Sequence, residues 1–329
     1  MRIIIYGVGA IGGTVAAALS LSGREVIGIA RGAQLDAIRA DGLLLRTPDK
    51  EARARFSCVA DPSEIAFKPD DAILLTMKTQ DTLGALERLR AAGVAGQPIF
   101  CVQNGVTNER LALRRFPNVH GVTVMMPAGF EAPGEVNAFS SPRHGIFDVG
   151  RYPSGSDADD DALAEAFNGA NIAAFVLPDV MASKYGKLIM NLNNILEAAL
   201  GPGVDAKRFA ALLQAEAKAA FIASGIVWHD RGATDSRRAN LMQIRPIAGA
   251  RRAGNSSAQS LARGTGSIET DYLNGEVTLL SRLHGLPCPA NDYFVGLSAR
   301  LVQEKLKPGA VTIAGIEAGL RAAGVSLPA

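Results

Sequence analysis

Cysteine is scarce in this chain. Only Cys58, Cys101 and Cys288 occur in 329 residues, far apart and without metal-ligand spacing. That excludes a disulfide framework and suits small buried hydrophobes in a reducing compartment; no metal is expected. Aromatic residues make up 5% of the chain, with a single tryptophan, too few and too scattered for a base-stacking surface. Charge of one sign is also missing. The formal net charge is +2, which leaves no strong field to hold nucleic acid or an anionic membrane. No apolar run approaches the length of a membrane span. The N-terminal apolar run is broken by glycines, unlike a signal peptide. A cytoplasmic protein is the expectation, and 329 residues with 48% hydrophobic and 20% charged content allow two folded domains.

Glycine, by contrast, is abundant, and its most informative placement is at the start. The strand-like run Arg2 to Tyr6 leads into Gly7, Gly9 and Gly12, and a helix-compatible run, Thr14 to Leu19, follows. In a strand–turn–helix of this kind the first glycine makes the tight turn. The second lets a pyrophosphate approach the backbone, and the third lets the helix pack on the sheet. The helix N-terminus, with Ala10 and Ile11 in its first turn, then faces the phosphates with unpaired N–H groups and the positive end of its dipole. A bare glycine turn is the plainer alternative; the flanking strand and helix favour a dinucleotide site.

Alternation continues through the first half. Strands are expected at Arg24 to Ala30, Leu43 to Leu45, Asp71 to Thr76, Pro98 to Val102 and Val119 to Val124. Helices are expected at Gln34 to Asp41, Leu83 to Ala92 and Asn108 to Arg115. This pattern predicts a mainly parallel, doubly wound, Rossmann-type sheet with helices on both faces. Short extended pieces from Glu135 to Asp148 read as an antiparallel extension of that sheet. Ala173 to Leu177 reads as its last strand, and Pro178-Asp179 as the boundary. The expected division is a nucleotide domain over residues 1–178 and a helical substrate domain over 179–329. In the second domain, Met181 to Leu200, Lys207 to Ser224, Arg237 to Gln243, Ser267 to His284 and Asn291 to Lys305 carry helical periodicity, and no strand is expected.

The second strand ends Ile29-Ala30-Arg31-Gly32. An NAD site usually carries a carboxylate there for the ribose 2′-OH. Here the acid is absent and Arg31 is present, suited to a forked contact with a 2′-phosphate. A solvated surface arginine is the bland alternative; NADP(H) is the cofactor expected. Ligands of such sheets bind outside the carboxyl ends of the strands. Lys78 and Asn104 lie at two such ends and are expected to line the crevice.

The helix that opens the second domain carries Lys187, Asn191 and Asn194 within a stripe about 60° wide at 100° per residue. Apolar residues fill most other directions, so these polar groups must find partners or face a wet cleft. Reduction of a ketone leaves negative charge on oxygen, which an ammonium can polarise and protonate. None of the four histidines sits in a convincing motif. Lys184 is a rival, but lies about 60° to the other side of the stripe from Asn191; Lys187 is preferred. Asn255-Ser256-Ser257 and Ser267 to Gly275 form a second polar cluster. Ser267 reads as a helix cap, with Glu269 in the first turn.

On these residues the chain resembles the ketopantoate reductase family (2-dehydropantoate 2-reductase) over nearly its full length. The likeness rests on Gly7 to Gly12, Arg31, Lys78 with Gln80, Gln103-Asn104-Gly105, Lys187 to Asn191, Ser256-Ser257 and Glu269 to Gly275. The resemblance implies reduction of 2-dehydropantoate to (R)-pantoate with NADPH, on the route to pantothenate and coenzyme A. It implies Lys187 as proton donor, Asn191 as a ligand of a substrate hydroxyl, and Asn104 beside nicotinamide and substrate. Ser257 would hold the substrate carboxylate, Glu269 would contact the substrate, and Lys78 would approach the cofactor ribose and phosphates. Asn194 is a further candidate substrate contact. Ile195 stands where family members often carry a second asparagine. The competing readings are a related oxidoreductase for another small 2-oxo or 2-hydroxy acid, and a non-catalytic NADP(H)-binding sensor. The expected partner is a small 2-oxoacid, met where the Lys187 amine reaches the nicotinamide across the gap between domains. The long apolar helices suit either a core or a homodimer interface.

Overall fold

The computed structural model describes residues 1–232, 234–250, 254–264 and 266–327; the last two residues of the expected second domain lie outside them. The strands are β1 (Arg2–Tyr6), β2 (Val26–Ile29), β3 (Leu43–Arg46), β4 (Glu51–Ala54), β5 (Ser57–Val59), β6 (Asp71–Leu75), β7 (Ile99–Cys101), β8 (Val119–Met125), β9 (Ala128–Gly129), β10 (Glu135–Ala138), β11 (Ser140–Pro142), β12 (Ile146–Arg151), β13 (Ala173–Val176) and β14 (Met242–Ile244). The helices of the first half are α1 (Ala10–Leu21), α2 (Gly32–Asp41), α3 (Thr79–Ala91), α4 (Asn108–Leu113) and α5 (Ala158–Gly169). They are followed by α6 (Val180–Asn191), α7 (Asn194–Leu200), α8 (Lys207–Ala223), α9 (Arg237–Leu241), α10 (Ser256–Arg263), α11 (Thr270–Leu283), α12 (Pro289–Gln303) and α13 (Ile313–Ala322). Among the described residues no helix is long and apolar enough to cross a membrane.

The chain forms two compact units. The first comprises Met1–Lys184 with Asp230–Arg252, and the second comprises Tyr185–His229 with Ala253–Ala329. An eight-stranded sheet organises the first, in the order β13-β12-β8-β7-β6-β1-β2-β5. Its six parallel strands, counted along the chain, run 3-2-1-4-5-6, the doubly wound order whose switch point lies between β1 and β6. Strands such as Asp71-Ala-Ile-Leu-Leu75 are buried along their whole length because helices cover both faces. At the end away from the switch point, Arg2 grips the buried Asp71 carboxylate through Nε (2.8 Å) and a terminal nitrogen (2.6 Å), tying β1 to β6.

Three expectations are corrected here. β12 does extend the main sheet antiparallel to β8, but β10 pairs parallel with β3 in a separate four-stranded sheet, and β11 pairs with β14. The stretch from Arg237 is helical only to Leu241, and β14 follows, a strand in a region expected to be helical throughout. The boundary is not a single cut near Pro178: α6 straddles it, and the segment after Asp230 rejoins the first unit. The cause is a buried anion. Asp148 on β12 is fully enclosed, and it receives Arg237 (2.6 Å), Arg231 (3.0 Å) and the Ser183 hydroxyl (2.5 Å). An unpaired carboxylate there would be strongly unfavourable, so the arginines must stay.

The second unit is helical among its described residues. Helix α11 packs between α8 and α12, and α7 packs on α10. Phe209, Leu213, Phe221, Leu273, Val277, Phe294 and Leu301 are fully or almost fully buried. Asn291 and Glu216 satisfy each other inside it: the Asn291 amide donates to Glu216 (2.7 Å), whose carboxylate also accepts the N–H groups of Ala290 (2.8 Å) and Asn291 (2.8 Å) at the start of α12.

Candidate active site

The first unit supplies a cradle made mostly of backbone. Gly7 adopts φ +106°, and an added Cβ would lie 2.9 Å from the Met77 nitrogen. At Gly12 a Cβ would lie 2.3 Å from both the Gly7 carbonyl oxygen and Thr76 Oγ1. That hydroxyl donates to the carbonyls of Tyr6 (2.9 Å) and Gly7 (2.9 Å), so Thr76 ties β6 to the glycine turn. A Cβ on Gly9 would meet nothing within 4 Å. Open space there, at the N-terminus of α1, fits a pyrophosphate. Ala10, Ile11 and Gly12 open the helix without acceptors four residues back, and its first turn carries no acidic side chain. Gln34 on α2 is buried and donates to the Val8 carbonyl (3.0 Å), bracing the same loop.

Arg31 is exposed and stands before the first turn of α2, just past the end of β2. It has no ion pair among the described residues. No carboxylate occupies the tip of β2. The donor set therefore fits NADP(H).

Lys78 is half-buried at the N-cap position of α3, past the end of β6. Asn104 is half-buried beyond the end of β7. A buried network stitches their two loops together. The Gln103 amide donates to the Met77 carbonyl (2.8 Å) and to Thr82 Oγ1 (2.8 Å). Thr82 Oγ1 donates to Asn108 Oδ1 (2.8 Å), and the Asn108 amide donates to the Asn104 carbonyl (3.2 Å) and to Thr79 Oγ1 (3.2 Å). Thr76, Thr82, Gln34 and Asn108 escaped the sequence reading. Their signal is a polar residue at a phase that the helix or strand pattern assigns to the interior.

Of the histidines, His120 is enclosed between Asp160 (2.8 Å from Nδ1) and Asn118 (2.9 Å from Nε2). His120, Asp157 and Asp159 lie close enough to suggest a cation site. Their atoms are already engaged, since Arg151 pairs with Asp157 and Asn118 donates to Asp159 (3.0 Å). Asp157 and Asp160 form the capping box of α5.

In the second unit, Lys187 is half-buried on α6 and Asn191 follows one turn later, about 6 Å along the axis. Asn191 is 4% exposed, and among the described residues its amide nitrogen has no hydrogen-bond acceptor. Between Lys184 and Lys187, Gly186 leaves room for the His229 carbonyl, which a Cβ would overlap at 1.6 Å.

The expected single helix from Met181 to Leu200 is corrected to two. Helix α6 ends at Asn191, and α7 starts at Asn194 after the turn at Leu192 and Asn193. Three of the four residues Asn191 to Asn194 are asparagine, a residue of low helix propensity. The Leu196 N–H turns to Asn193 (3.1 Å), and the buried Asn274 amide donates to the Leu192 carbonyl (3.3 Å). Asn194 therefore leaves the stripe of Lys187 and Asn191. Its amide donates to Ser256 Oγ (3.4 Å), and its carbonyl accepts from Asn255 (3.1 Å).

Helix α10 begins at Ser256. Asn255 caps it, accepting the N–H groups of Ser257 (3.1 Å) and Ala258 (3.0 Å). Glu197 holds Asn255 in turn, accepting its side chain (2.9 Å) and its N–H (3.2 Å). Ser257 is buried in this first turn. Glu269 is buried at the N-cap position of α11, not inside its first turn, and Ser267 is not the cap.

Lys184, the rival lysine, belongs to the first unit and is 2% exposed. Its ammonium meets Glu109 at 2.5 Å and backbone carbonyls besides. Burial raises the Glu109 pKa above the usual carboxylate range, and Lys184 opposes that shift.

The family described as ketopantoate reductase PanE/ApbA matches residues 3–154, and its C-terminal counterpart matches residues 179–302. A 2-dehydropantoate 2-reductase of Pyrococcus abyssi is 28% identical over 58% of this chain and 61% of its own length. Another, from Pyrococcus horikoshii, is 28% identical over 88% of this chain and 94% of its own length. A PanE/ApbA family ketopantoate reductase from Ralstonia eutropha superposes with a TM-score of 0.76 at 27% identity, over 93% of this chain and 99% of that one. Cradle, lysine helix and the two matched halves agree: this chain belongs to the ketopantoate reductase family.

Proposed function

We propose that the protein reduces 2-dehydropantoate to (R)-pantoate with NADPH. The observation that carries the reading is the buried Asn191 amide, which lacks an acceptor among the described residues and lies one turn from Lys187. A buried donor without a partner is costly, and a substrate hydroxyl would relieve it. The chemistry of the Gly7–Gly12 cradle and of Arg31 supports NADPH.

When bound, the reduced nicotinamide supplies hydride to the carbonyl carbon of the acid. Lys187 donates a proton to the carbonyl oxygen as negative charge develops there, and regains one from solvent. Asn191 donates to the substrate hydroxyl. Ser257 receives the carboxylate through its hydroxyl, because Asn255 already takes the N–H groups of Ser257 and Ala258. Glu269 accepts from the substrate, Asn104 lines the reacting end, and Lys78 approaches the cofactor ribose and phosphates. Asn194 acts through Ser256, not on the stripe itself. The polar groups suit a small 2-oxoacid as partner, and a cytoplasmic location fits the reduced cysteines.

A second reading keeps this chemistry and changes the acid. Ile195, 1% exposed, brings an apolar side chain to a position where an asparagine was expected from the resemblance. NADPH oxidation followed with 2-dehydropantoate and a panel of 2-oxoacids separates the two. Turnover of 2-dehydropantoate at the highest kcat/KM is the expected result. Preference for another acid replaces the substrate, and NADPH binding without turnover of any acid leaves only a nucleotide-binding sensor.

A further inference from the structure

The ion pair between Lys184 and Glu109, both in the first unit, takes no part in the reaction just described. Lys184 comes from α6 and Glu109 from the first turn of α4, and both are buried. Besides the carboxylate, the Lys184 ammonium donates to the carbonyls of Cys101 (3.3 Å), Gln103 (3.0 Å) and Val122 (3.3 Å). These acceptors converge from the end of β7, the loop after it and the middle of β8. Gln103 immediately precedes Asn104. The carbonyl of Asn104 is held by Asn108, the neighbour of Glu109 on α4. The backbone on both sides of Asn104 is thus fixed by the same small group of side chains.

A role in stability alone explains this arrangement poorly. A buried ion pair seldom stabilises a fold more than apolar side chains of the same volume, because both charges leave water. What the ammonium does, and an apolar chain cannot, is hold several carbonyl oxygens at one point. If the Gln103–Asn104 peptide rotated, the buried ammonium would lose the nearest of its three carbonyl acceptors, at 3.0 Å, and keep the two at 3.3 Å and the carboxylate. That contact favours one orientation of the peptide, and with it one direction for the Asn104 side chain.

We infer that Lys184 and Glu109 are positioning residues for Asn104, serving the turnover step and not nucleotide binding. The inference rests on the reductase reading through the role given there to Asn104. The test is the double variant Lys184→Met/Glu109→Met, which replaces the pair by apolar chains of similar length. Melting temperature, NADPH affinity by fluorescence, steady-state kinetics and amide hydrogen exchange of residues 102–106 are measured together. The expected result is a melting temperature near that of the wild type and an NADPH Kd within about threefold. Alongside, kcat falls about 10- to 100-fold, the scale on which a displaced catalytic contact costs rate. Exchange at residues 103–105 becomes at least about tenfold faster as local opening grows easier. A folded double variant with wild-type kcat and unchanged exchange overturns the inference and leaves the pair a packing device.

Should the double variant fail to fold, Glu109→Gln keeps the volume and one acceptor for Lys184. Its kcat is expected to fall about three- to tenfold at unchanged NADPH Kd; an unchanged kcat and unchanged exchange overturn the inference equally. Wild-type protein that binds NADPH but reduces no 2-oxoacid defeats the reductase reading instead. Hydrogen exchange then still decides whether the pair locks the Asn104 peptide.

Discussion

In the first unit the candidate nucleotide cradle is backbone: Gly7, Gly9 and Gly12 shape it, and the opening N–H groups of α1 line it. In the second unit the candidate chemistry is carried by side chains, and the polar residues around it are braced by side chains from distant parts of the sequence. Asn255 is held by Glu197, Asn194 meets Ser256, and Asn274 closes the broken end of α6. A backbone site tolerates change in its surroundings so long as the turn forms. A side-chain site depends on every brace. The first unit should therefore lose function through loss of shape or of a single exposed charge, and the second through small displacements.

That contrast can be broken at four points. The largest effect is expected at Lys187. Lys187→Ala should lower kcat about 10²- to 10⁴-fold, the range for loss of a general acid, while NADPH affinity measured by fluorescence stays near the wild-type value. Unchanged turnover would remove Lys187 from the mechanism and leave the second unit without its acid.

Next comes an acid sensitivity located in the first unit. His144 is buried, and burial first, with Lys50 and Arg143 nearby, holds its pKa down at about 4 against an ordinary 6.5. In the window from pH 6.5 to 4 the unfolded chain takes up a proton that the folded protein refuses. Stability is therefore lost as pH falls, by about 3 kcal/mol at the bottom of the window. Urea unfolding of wild type and His144→Gln should diverge in slope over that range, with the variant flatter. Parallel curves would refute the assignment.

Arg31→Ala should raise the Kd for NADPH about 10- to 100-fold, the worth of a charge-assisted contact to phosphate. Affinity for NADH should hardly change, and an equal loss for both nucleotides would place Arg31 away from the 2′-phosphate.

The smallest effect is expected at Asn255. Its replacement by alanine removes the cap of α10, a loss of about 1 kcal/mol. The melting temperature should fall by a few degrees and the KM for the acid should rise, with NADPH binding untouched. A wild-type KM would show that the first turn of α10, and Ser257 in it, is not part of the substrate pocket.

Most of the main sheet was readable from alternation, because strands buried on both faces are continuous apolar runs, but its edge strand β5 was missed, and Leu43 to Leu45, read as one of its strands, pairs in the four-stranded sheet. The break at Leu192 and Asn193 was not readable. Helical periodicity continues through Asn194, where three asparagines of low helix propensity fall within four residues, and Asn274 donates to the Leu192 carbonyl. The return of the segment after Asp230 was equally hidden. Arg231 and Arg237 look like surface charges in the sequence, and only the enclosed Asp148 gives them a destination. Helix angles separate Lys187 from Lys184, and the enclosure of the Lys184 ammonium among the carbonyls of Cys101, Gln103 and Val122 could not be read from the sequence.

By itself the sequence determined the glycine turn, the alternation of strands and helices over most of the first half, the base in place of an acid at Arg31, and the residue types able to move a proton. These are local properties, set by the allowed dihedrals of glycine, the pitch of a helix and the period of a strand. Tertiary structure decided where α6 ends, which unit owns the segment after Asp230, and which polar groups brace one another. Burial alone makes those choices, since a charge or amide taken out of water must find a partner, however far along the chain that partner lies.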